Sequence, residues 1–302
     1  MMLDRRTLLL SSTLLLASGC MAGRRQASIM SNPEFEAIER RIGGRLGVAL
    51  VNGEGNLITS HRAAERFAMC STFKAPLASA LFAAHESGTV DMHARFAVKS
   101  EDAVPYMPFV EQRMKDGQPV TLYELARAAI TLSDNAAANL VLKAIGGPAG
   151  FTRFVREHGD SVTRLDRMEP ELNENAPGDP RDTTTPVAMA RLLQTLAIEG
   201  ASVDEGKRTL QTWLKESETG ASRIRAGLPK GWPVGDKTGT APGGIAFNDV
   251  AIIWPSSEPT EKKPVILAVY TDRPKASAQK VDAAIADVAR TAAGLIQSNQ
   301  SG

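Results

Sequence analysis

Two strands joined by a tight turn are predicted by RLGVALVNGEGNLITSH, residues 45–61. The segments 45–52 and 57–61 are mostly apolar or β-branched, and each has the length of an ordinary strand. Between them, Gly53-Glu54-Gly55-Asn56 is a typical turn sequence, so the two strands should form a hairpin. This hairpin begins a sheet near the start of the chain.

More strands are expected at the other end of the chain, near 232–238, 246–254 and 264–271, and an alanine-rich helix follows them. From about 71 to 219 the pattern is helical, with capping residues before apolar stretches and glycines after them. Strands at both ends and helices between them predict an α/β (α+β) fold. A mostly antiparallel sheet is built from both chain ends and flanked by helices, and an all-α domain is inserted into it.

The domain boundaries follow from this pattern. We assign residues 32–62 and 220–298 to the α/β domain and residues 63–219 to the all-α domain. The all-α domain includes the loop 164–182, which is part of a stretch, 160–183, with three prolines and little helical periodicity. A loop of this length in a compact domain is usually functional. We expect the active site in the crevice between sheet and helices.

Composition narrows the class of partner. The 302 residues are 43% hydrophobic and 23% charged, with a formal net charge of +1. This balance gives no reason to expect nucleic acid or an anionic membrane surface, and it favours a globular protein with a small-molecule partner. We expect the protein to be a monomer. The four histidines are scattered and the two cysteines are far apart, without the paired spacing of a zinc site. We therefore expect no metal and no cofactor.

Residues 1–27 are expected to be an export signal and linker. Arg5-Arg6 precedes an apolar stretch, 8–17, that is too short for a permanent membrane helix. The adjacent arginines favour the twin-arginine route, with the general secretory route as the alternative. Small residues before Cys20 resemble the box that precedes a lipid-anchored cysteine, but such boxes prefer leucine where Ala17 stands, so removal and lipid attachment both stay open. The expected location is the periplasm.

A serine and a lysine stand three residues apart in Ser71-Thr72-Phe73-Lys74, directly before the apolar stretch 75–84. At the start of a helix such a pair lies on one face, about one turn apart. A serine hydroxyl is a poor nucleophile until a nearby base accepts its proton, and unpaired N–H groups at a helix start can stabilise an oxyanion. Taken alone, the same spacing also fits a capping serine and a solvated lysine.

Three further segments carry polar residues at element boundaries. Ser133-Asp134-Asn135 lies at the junction of two helices, and Lys237-Thr238-Gly239, followed by Thr240, lies at the end of a strand. Glu169-Pro170-Glu171-Leu172-Asn173 lies inside the long loop. Taken singly, they are ordinary helix caps, a strand end with an exposed lysine, and an exposed acidic loop.

In this order and at these separations, the serine–lysine, Ser133 and Lys237 motifs resemble those of class A β-lactamases and penicillin-binding proteins. Glu169 to Asn173 resembles the E-x-x-L-N motif of class A β-lactamases, and the similarity extends from about 32 to 298. Both kinds of enzyme acylate the serine, but only the β-lactamase must hydrolyse that ester quickly, which needs a carboxylate and an amide to direct water. The resemblance implies a serine β-lactamase that acts on penicillins or cephalosporins and confers antibiotic resistance.

The resemblance implies five catalytic residues: Ser71, Lys74, Ser133, Glu169 and Asn173. Ser71 would attack the lactam carbonyl, and its proton would pass to Lys74 or, through a water, to Glu169; the two bases stay open. Ser133 would relay a proton to the lactam nitrogen. Glu169 and Asn173 would then direct water onto the acyl ester.

The resemblance also implies seven substrate-binding residues: Tyr106, Asn135, Arg223, Lys237, Thr238, Gly239 and Thr240. Lys237, Thr240 and Arg223 would hold the substrate carboxylate, because clustered donors suit an anion. Asn135 would contact the acylamino side chain. The backbone N–H groups of Ser71 and Thr240 would bind the lactam carbonyl.

Other matches and departures concern the surroundings of the site. Tyr106 matches the aromatic residue at the substrate entrance, and Arg167 and Asp182 match an ion pair that closes the loop. Met168 stands where many members have tryptophan. Cys70 matches a cysteine that is disulfide-bonded in some members, but the expected partner position is Ala241, so we expect Cys70 to be a small packing residue.

Three other functions would use part of this pattern. A penicillin-binding peptidase would share the first three motifs, but the Glu169 and Asn173 pair opposes it. A β-lactam sensor that stays acylated would lack a deacylating carboxylate and would be fused to membrane helices. A non-catalytic protein with this scaffold would have no need for the nucleophile and both lysines. A nitrocefin assay separates turnover, a single acylation and no reaction.

Overall fold

The computed structural model describes residues 32–199, 204–256 and 263–298. The predicted export signal, with Arg5-Arg6 and Cys20, lies outside these ranges. No helix within them is long and apolar enough to cross a membrane. In chain order, the helices and strands are α1 (Pro33–Ile42), β1 (Arg45–Val51), β2 (Leu57–His61), β3 (Phe67–Ala68), α2 (Lys74–Glu86), α3 (Pro108–Lys115), α4 (Leu122–Thr131), α5 (Asn135–Ala144), α6 (Gly147–Glu157), β4 (Thr183–Thr184), α7 (Pro186–Ala197), α8 (Glu205–Lys215), α9 (Ile224–Gly227), β5 (Val234–Thr240), β6 (Phe247–Ile253), β7 (Val265–Asp272) and α10 (Ala278–Ser298).

The main sheet has five strands in the order β2-β1-β7-β6-β5, and every neighbouring pair is antiparallel. Strand β1, near the start of the chain, pairs with β7, near its end, so that Ala49 lies opposite Ala268. The predicted fold class, an antiparallel sheet built from both chain ends with helices between them, is therefore confirmed.

Both faces of this sheet are covered, because successive side chains of a strand point to opposite sides. Along β1, Leu46, Val48 and Leu50 pack in the core beneath α1 and α10, while Ala49 and Val51 pack in the core shared with the helices of the middle segment. Helix α7 contacts β1 and β7, and α8 contacts β5. The middle helices therefore rest on one face of the sheet, and the crevice between them opens beside β5.

Element boundaries differ from the sequence prediction at two places that carry chemistry. Strand β5 begins at Val234 rather than 232, because Pro233 has no N–H for the ladder, and it continues to Thr240. Ser71 lies in a four-residue 3₁₀ turn, Cys70–Phe73, and the α-helix begins at Lys74. The two-residue strands β3 and β4 were not predicted, because two residues show no alternation.

One buried carboxylate holds the junction between three helices. Asp134 caps the first turn of α5, and its other oxygen accepts hydrogen bonds from the backbone N–H groups of Phe109 (2.9 Å) and Val110 (3.0 Å) at the start of α3. Because Ser133 and Asn135 are its chain neighbours, Asp134 fixes the backbone on both sides of itself.

We therefore expect Asp134→Ala to lower the free energy of unfolding by about 3 kcal/mol, since three backbone N–H groups lose their acceptor. The control is Asp204→Ala, which removes the cap of α8 at a more exposed position and should cost about 1 kcal/mol. Urea unfolding measures both variants. Equal losses would contradict the bridging role of Asp134.

Candidate active site

The nucleophile candidate, Ser71, is held in its turn by contacts of its neighbours. Thr72 donates from Oγ1 to the Met69 carbonyl (2.8 Å) and also bonds the buried Tyr270 hydroxyl (3.0 Å). Gly239 of β5 passes so close that a Cβ there would lie 2.7 Å from the Met69 oxygen, so this position requires glycine. Turn and strand are thus in direct contact, which brings Ser71 to the edge of β5.

Lys74 lies one turn after Ser71 and is fully buried. Its ammonium group donates to the Ser133 carbonyl (2.9 Å) and to Asn135 Oδ1 (2.6 Å), and it lies 3.1 Å from Glu169 Oε1. Burial lowers the pKa of Lys74, and the attraction of the Glu169 carboxylate opposes that shift. The lysine therefore links three of the sequence motifs at one point.

Glu169 is held on every side by hydrogen bonds. Its Oε1 accepts from the Ser71 hydroxyl (3.4 Å), and its Oε2 accepts from Asn173 Nδ2 (2.6 Å). Asn139 binds its backbone twice, accepting from the Glu169 N–H (2.9 Å) and donating to the carbonyl (2.8 Å). The Glu169–Pro170 peptide bond is cis. The carboxylate is thus directed at Ser71 from inside the loop.

Sequence reasoning missed Asn139, although a signal was present. Asn135 and Asn139 are four residues apart in NAAAN, so they lie on the same face of α5. The first reaches Lys74 and the second reaches the loop backbone. This face of α5 therefore helps to position both Lys74 and Glu169.

The loop 164–182 is closed at its base by the predicted pair. Arg167 Nε lies 2.6 Å from Asp182 Oδ2, with side chains 15% and 1% exposed. The other Asp182 oxygen accepts from the backbone N–H groups of Asp166 (2.7 Å) and Arg167 (3.0 Å). The Asp182 carbonyl accepts from Met69 N–H (3.0 Å). Loop closure and the serine turn are therefore coupled through one residue.

Ser133 and Lys237 form the opposite wall of the site. Lys237 donates from Nζ to Ser133 Oγ and to the Thr238 carbonyl, both at 2.9 Å. Ser133 has a φ of 61°, which turns it out of the helix register between α4 and α5. Burial, together with the positive charge of Lys74, lowers the pKa of Lys237 to about 7 against the attraction of Asp236 and Asp249.

Arg223 reaches the site but is already engaged by protein groups. It donates to Asp282 Oδ1 (2.7 Å), to the carbonyls of Gly239 (3.0 Å) and Asn248 (2.7 Å), and to Thr240 Oγ1 (2.8 Å). Four of its five N–H groups are therefore used. Through its hydrogen bond to the Thr240 hydroxyl, Arg223 also contacts the expected carboxylate site.

A cavity of about 480 Å³ is lined by the predicted residues Tyr106, Thr238 and Thr240, among others. Tyr106 is 60% exposed at its rim, and the Asn135 backbone N–H donates to the Tyr106 carbonyl (3.0 Å). The lining residues are Ser71, Pro105, Tyr106, Ser133, Asn135, Pro170, Asn173, Thr219, Arg223, Thr238, Thr240, Ala241 and Pro242. Thr219, which bonds Thr238 (2.7 Å), was not predicted. A larger cleft of about 630 Å³ along α7 contains none of the motif residues, so size alone does not mark the site.

Cys70 is buried and packs with Ala68, Ala241 and Ala246. Burial raises the pKa of its thiol to about 12, so it stays protonated. Its expected role as a small packing residue is confirmed. Within the described ranges, no group of three or more His, Cys, Asp or Glu residues is placed to hold a metal ion.

Taken together, the Ser71 hydroxyl bonds the buried Glu169 carboxylate, which lies beside the buried Lys74. On the opposite wall the buried Lys237 bonds the Ser133 hydroxyl. This arrangement is that of a serine hydrolase that acts through an acyl-enzyme. The model of the β-lactamase enzyme family matches residues 32–296. The chain therefore belongs to the β-lactamase family, and the resemblance to its class A members is confirmed by the relatives that follow.

Several known proteins are similar over most of the chain. β-Lactamase Toho-1 of Escherichia coli is 45% identical over 247 residues, which are 82% of each chain. β-Lactamase OXY-1 of Klebsiella oxytoca is 41% identical over 289 residues, 95% of this chain and 96% of its own. The solved structure of a class A β-lactamase of the last common ancestor of Gram-negative bacteria superposes with a TM-score of 0.81 at 47% identity, covering 88% of this chain and 98% of that one.

The closing pair of the loop yields a stability prediction. Arg167→Ala should lower the free energy of unfolding by about 3 kcal/mol, because Asp182 stays buried without its cation. Arg164→Ala is the matched control: it pairs with Asp166 inside the same loop and is 40% exposed, so it should cost less than about 1 kcal/mol. Chemical denaturation and hydrogen exchange of 164–182 measure both. If Arg167→Ala behaved like the control, the pair would not hold the loop.

Proposed function

We propose that this protein hydrolyses β-lactam antibiotics through an acyl-enzyme on Ser71 and so confers resistance to them. The observation that carries the proposal is the buried carboxylate of Glu169, which accepts a hydrogen bond from Ser71 and is held by Asn173. A carboxylate in this place supports fast hydrolysis of an acyl-serine ester, which a peptidase or a sensor does not need.

Acylation begins with attack of Ser71 Oγ on the lactam carbonyl carbon. Its proton passes either to Glu169, directly or through a water, or to Lys74, whose pKa is lowered by burial. The C–N bond of the ring then breaks, and Ser133 relays the proton that left Ser71 from the base to the lactam nitrogen, so that the base and the Ser133 hydroxyl end as they began. Lys237 lies 2.9 Å from Ser133 Oγ, and its positive charge supports that transfer.

Substrate binding uses the wall formed by β5. The carboxylate of the antibiotic is held by Lys237 and by the Thr240 hydroxyl, which Arg223 orients through its hydrogen bond. The lactam carbonyl oxygen accepts hydrogen bonds from the backbone N–H groups of Ser71 and Thr240. Asn135 contacts the acylamino side chain. Thr238 and Gly239 complete this wall, and Tyr106 covers the entrance.

Deacylation is assigned to Glu169 and Asn173. The Oδ1 atom of Asn173 is buried and has no hydrogen-bond partner among the described residues, while its Nδ2 holds the carboxylate. Buried polar oxygens are rarely left without a partner. This oxygen can accept a hydrogen bond from a water that Glu169 deprotonates, and that water attacks the ester.

The remaining expectations belong to the same proposal. We propose that the protein is exported to the periplasm by a twin-arginine signal, with or without a lipid on Cys20, and works there as a monomer. We propose two domains, 32–62 with 220–298 and 63–219 between them. The active site lies where they meet, so each domain supplies part of the chemistry.

One test of the proposed function measures the turnover of nitrocefin. Glu169→Ala should still be acylated by nitrocefin but should accumulate as the ester, because water loses its base. Intact-mass spectrometry and the size of the initial burst of nitrocefin hydrolysis measure this. The wild-type protein, which should turn over, is the control. Steady turnover of Glu169→Ala near the wild-type rate would remove Glu169 from deacylation. A wild-type protein that captures one antibiotic and never releases it would refute the proposed function.

Another test measures how kcat/KM depends on pH. Because burial lowers the pKa of Lys237 to about 7, the free enzyme loses that positive charge as the pH rises through about 7. The value of kcat/KM, which reports on the free enzyme, should then fall toward about tenfold per pH unit. Lys237→Arg keeps its charge at these pH values, so its profile should stay level to a higher pH. A wild-type profile that is flat from pH 6 to 9 would contradict this role of Lys237.

A further inference from the structure

The far limb of the loop, residues 174–179, is held to the rest of the protein by few contacts. A cleft of about 610 Å³ separates this segment from the end of the sheet. The cleft is lined by 175–180, Arg45, Asp272 and Arg273, so the segment does not pack closely on the sheet there. The ion pairs of Glu174 and Asp179 are with arginines of the same loop. Among the described residues, the hydrogen bonds that lead from this limb to a partner outside the loop are those of Asn175.

Asn175 bonds two residues at the end of β7. Its Nδ2 donates to Asp272 Oδ1 (3.1 Å), and its carbonyl accepts from the Arg273 guanidinium. Arg273 also donates to Asp272 Oδ1 (2.7 Å), and its backbone N–H donates to the Ile245 carbonyl (2.8 Å). Both Asn175 (φ 45°) and Arg273 (φ 47°) adopt left-handed backbone conformations. Such conformations persist where surrounding contacts hold them.

Asp272, which Asn175 and Arg273 both contact, is itself held in place by Arg45. Arg45, at the start of β1, donates to Asp272 Oδ2 from Nε (3.0 Å) and from its terminal nitrogen (2.7 Å). The same guanidinium reaches Glu65 (3.0 Å) and stacks on Phe67, 4.7 Å from the ring centre. Phe67 belongs to the segment that leads into the Ser71 turn. Asp272 therefore joins the limb of the loop to the backbone that carries the nucleophile.

We propose that Asn175 and Arg273, through Asp272, form a latch that positions Asn173 and Glu169 for deacylation. Asn139 fixes the backbone of Glu169 on one side. On the other side the chain runs through the 3₁₀ turn Glu171–Asn173 and reaches Asn175 two residues later. The latch thus holds the turn whose Asn173 directs the carboxylate, and these are positioning residues that do not touch the substrate.

The effect should fall on one step. The latch contacts none of Ser71, Lys74 and Ser133, so acylation keeps its nucleophile, its proton relay and one of its two candidate bases, Lys74, when the loop shifts. Deacylation depends on the carboxylate and amide of the loop, and small displacements of positioned groups are costly in rate. The proposal rests on the proposed function, because the latch affects turnover only if Ser71 forms an ester that water releases.

The test uses the full-length protein with nitrocefin in two variants. Arg273→Ala removes the guanidinium and keeps the Cβ at its left-handed position. Asn175→Gly keeps the backbone conformation, which glycine adopts readily, and removes only the amide. Arg181→Ala is the matched control, because that arginine is 47% exposed and pairs with Asp179 and Glu174 inside the loop.

We expect each latch variant to be acylated within about twofold of the wild-type rate and deacylated about tenfold more slowly. The ester should accumulate in intact-mass spectra, and hydrogen exchange should increase in 170–179. The control should keep both rates within about twofold. The double variant should be little slower than the single ones, since both break the same latch. A general loss of folded protein would reduce the active fraction in the burst and leave the deacylation rate unchanged.

Deacylation at the wild-type rate in both variants would overturn the latch, and so would an equal slowing in Arg181→Ala. If the wild-type protein itself formed no ester or never released it, the proposed function would fail first. The two failures are therefore distinguishable in the same experiment.

Discussion

The Lys74 ammonium and the Glu169 carboxylate lie 3.1 Å apart with both side chains fully shielded from solvent. Removing two charges from water is expensive, and their mutual attraction offsets this only with good geometry and further hydrogen bonds. The structure supplies those bonds from the Ser133 carbonyl, Asn135 and Asn173. The loop, the junction of α4 and α5 and the serine turn must therefore keep fixed positions around this pair.

The site lies between the sheet and the helices because both supply its residues. Lys74 and Glu169 come from the helical segment, while Lys237 comes from β5 and meets Ser133 across the crevice. Two buried lysines near each other repel, which is one cause of the low pKa of Lys237. In the proposed function, the carboxylate of the antibiotic offsets this repulsion.

Much of the fold followed from the sequence, because the strands of β1, β2, β6 and β7 are apolar stretches bounded by turn residues. The four motifs could be placed on their elements, and the structure brings them to one cleft. Contacts set by tertiary geometry could not be predicted. Asn139 bonds a loop residue 30 positions away, and Thr219 bonds Thr238 of β5, 19 positions away. The commitment of Arg223 to four protein partners, and the bonds from Asn175 to β7, depend on backbone positions that no local pattern encodes.

The central claim is that the loop carboxylate, the loop amide and the serine meet at one water when an antibiotic is bound. A crystal structure of the wild-type acyl-enzyme, trapped with a slowly released β-lactam, tests this most directly. The account predicts an ester on Ser71 and one water about 3 Å from both Glu169 and Asn173, beside the ester carbonyl carbon. An ester that is still hydrolysed in solution while Glu169 is turned away from every water near it would contradict the account.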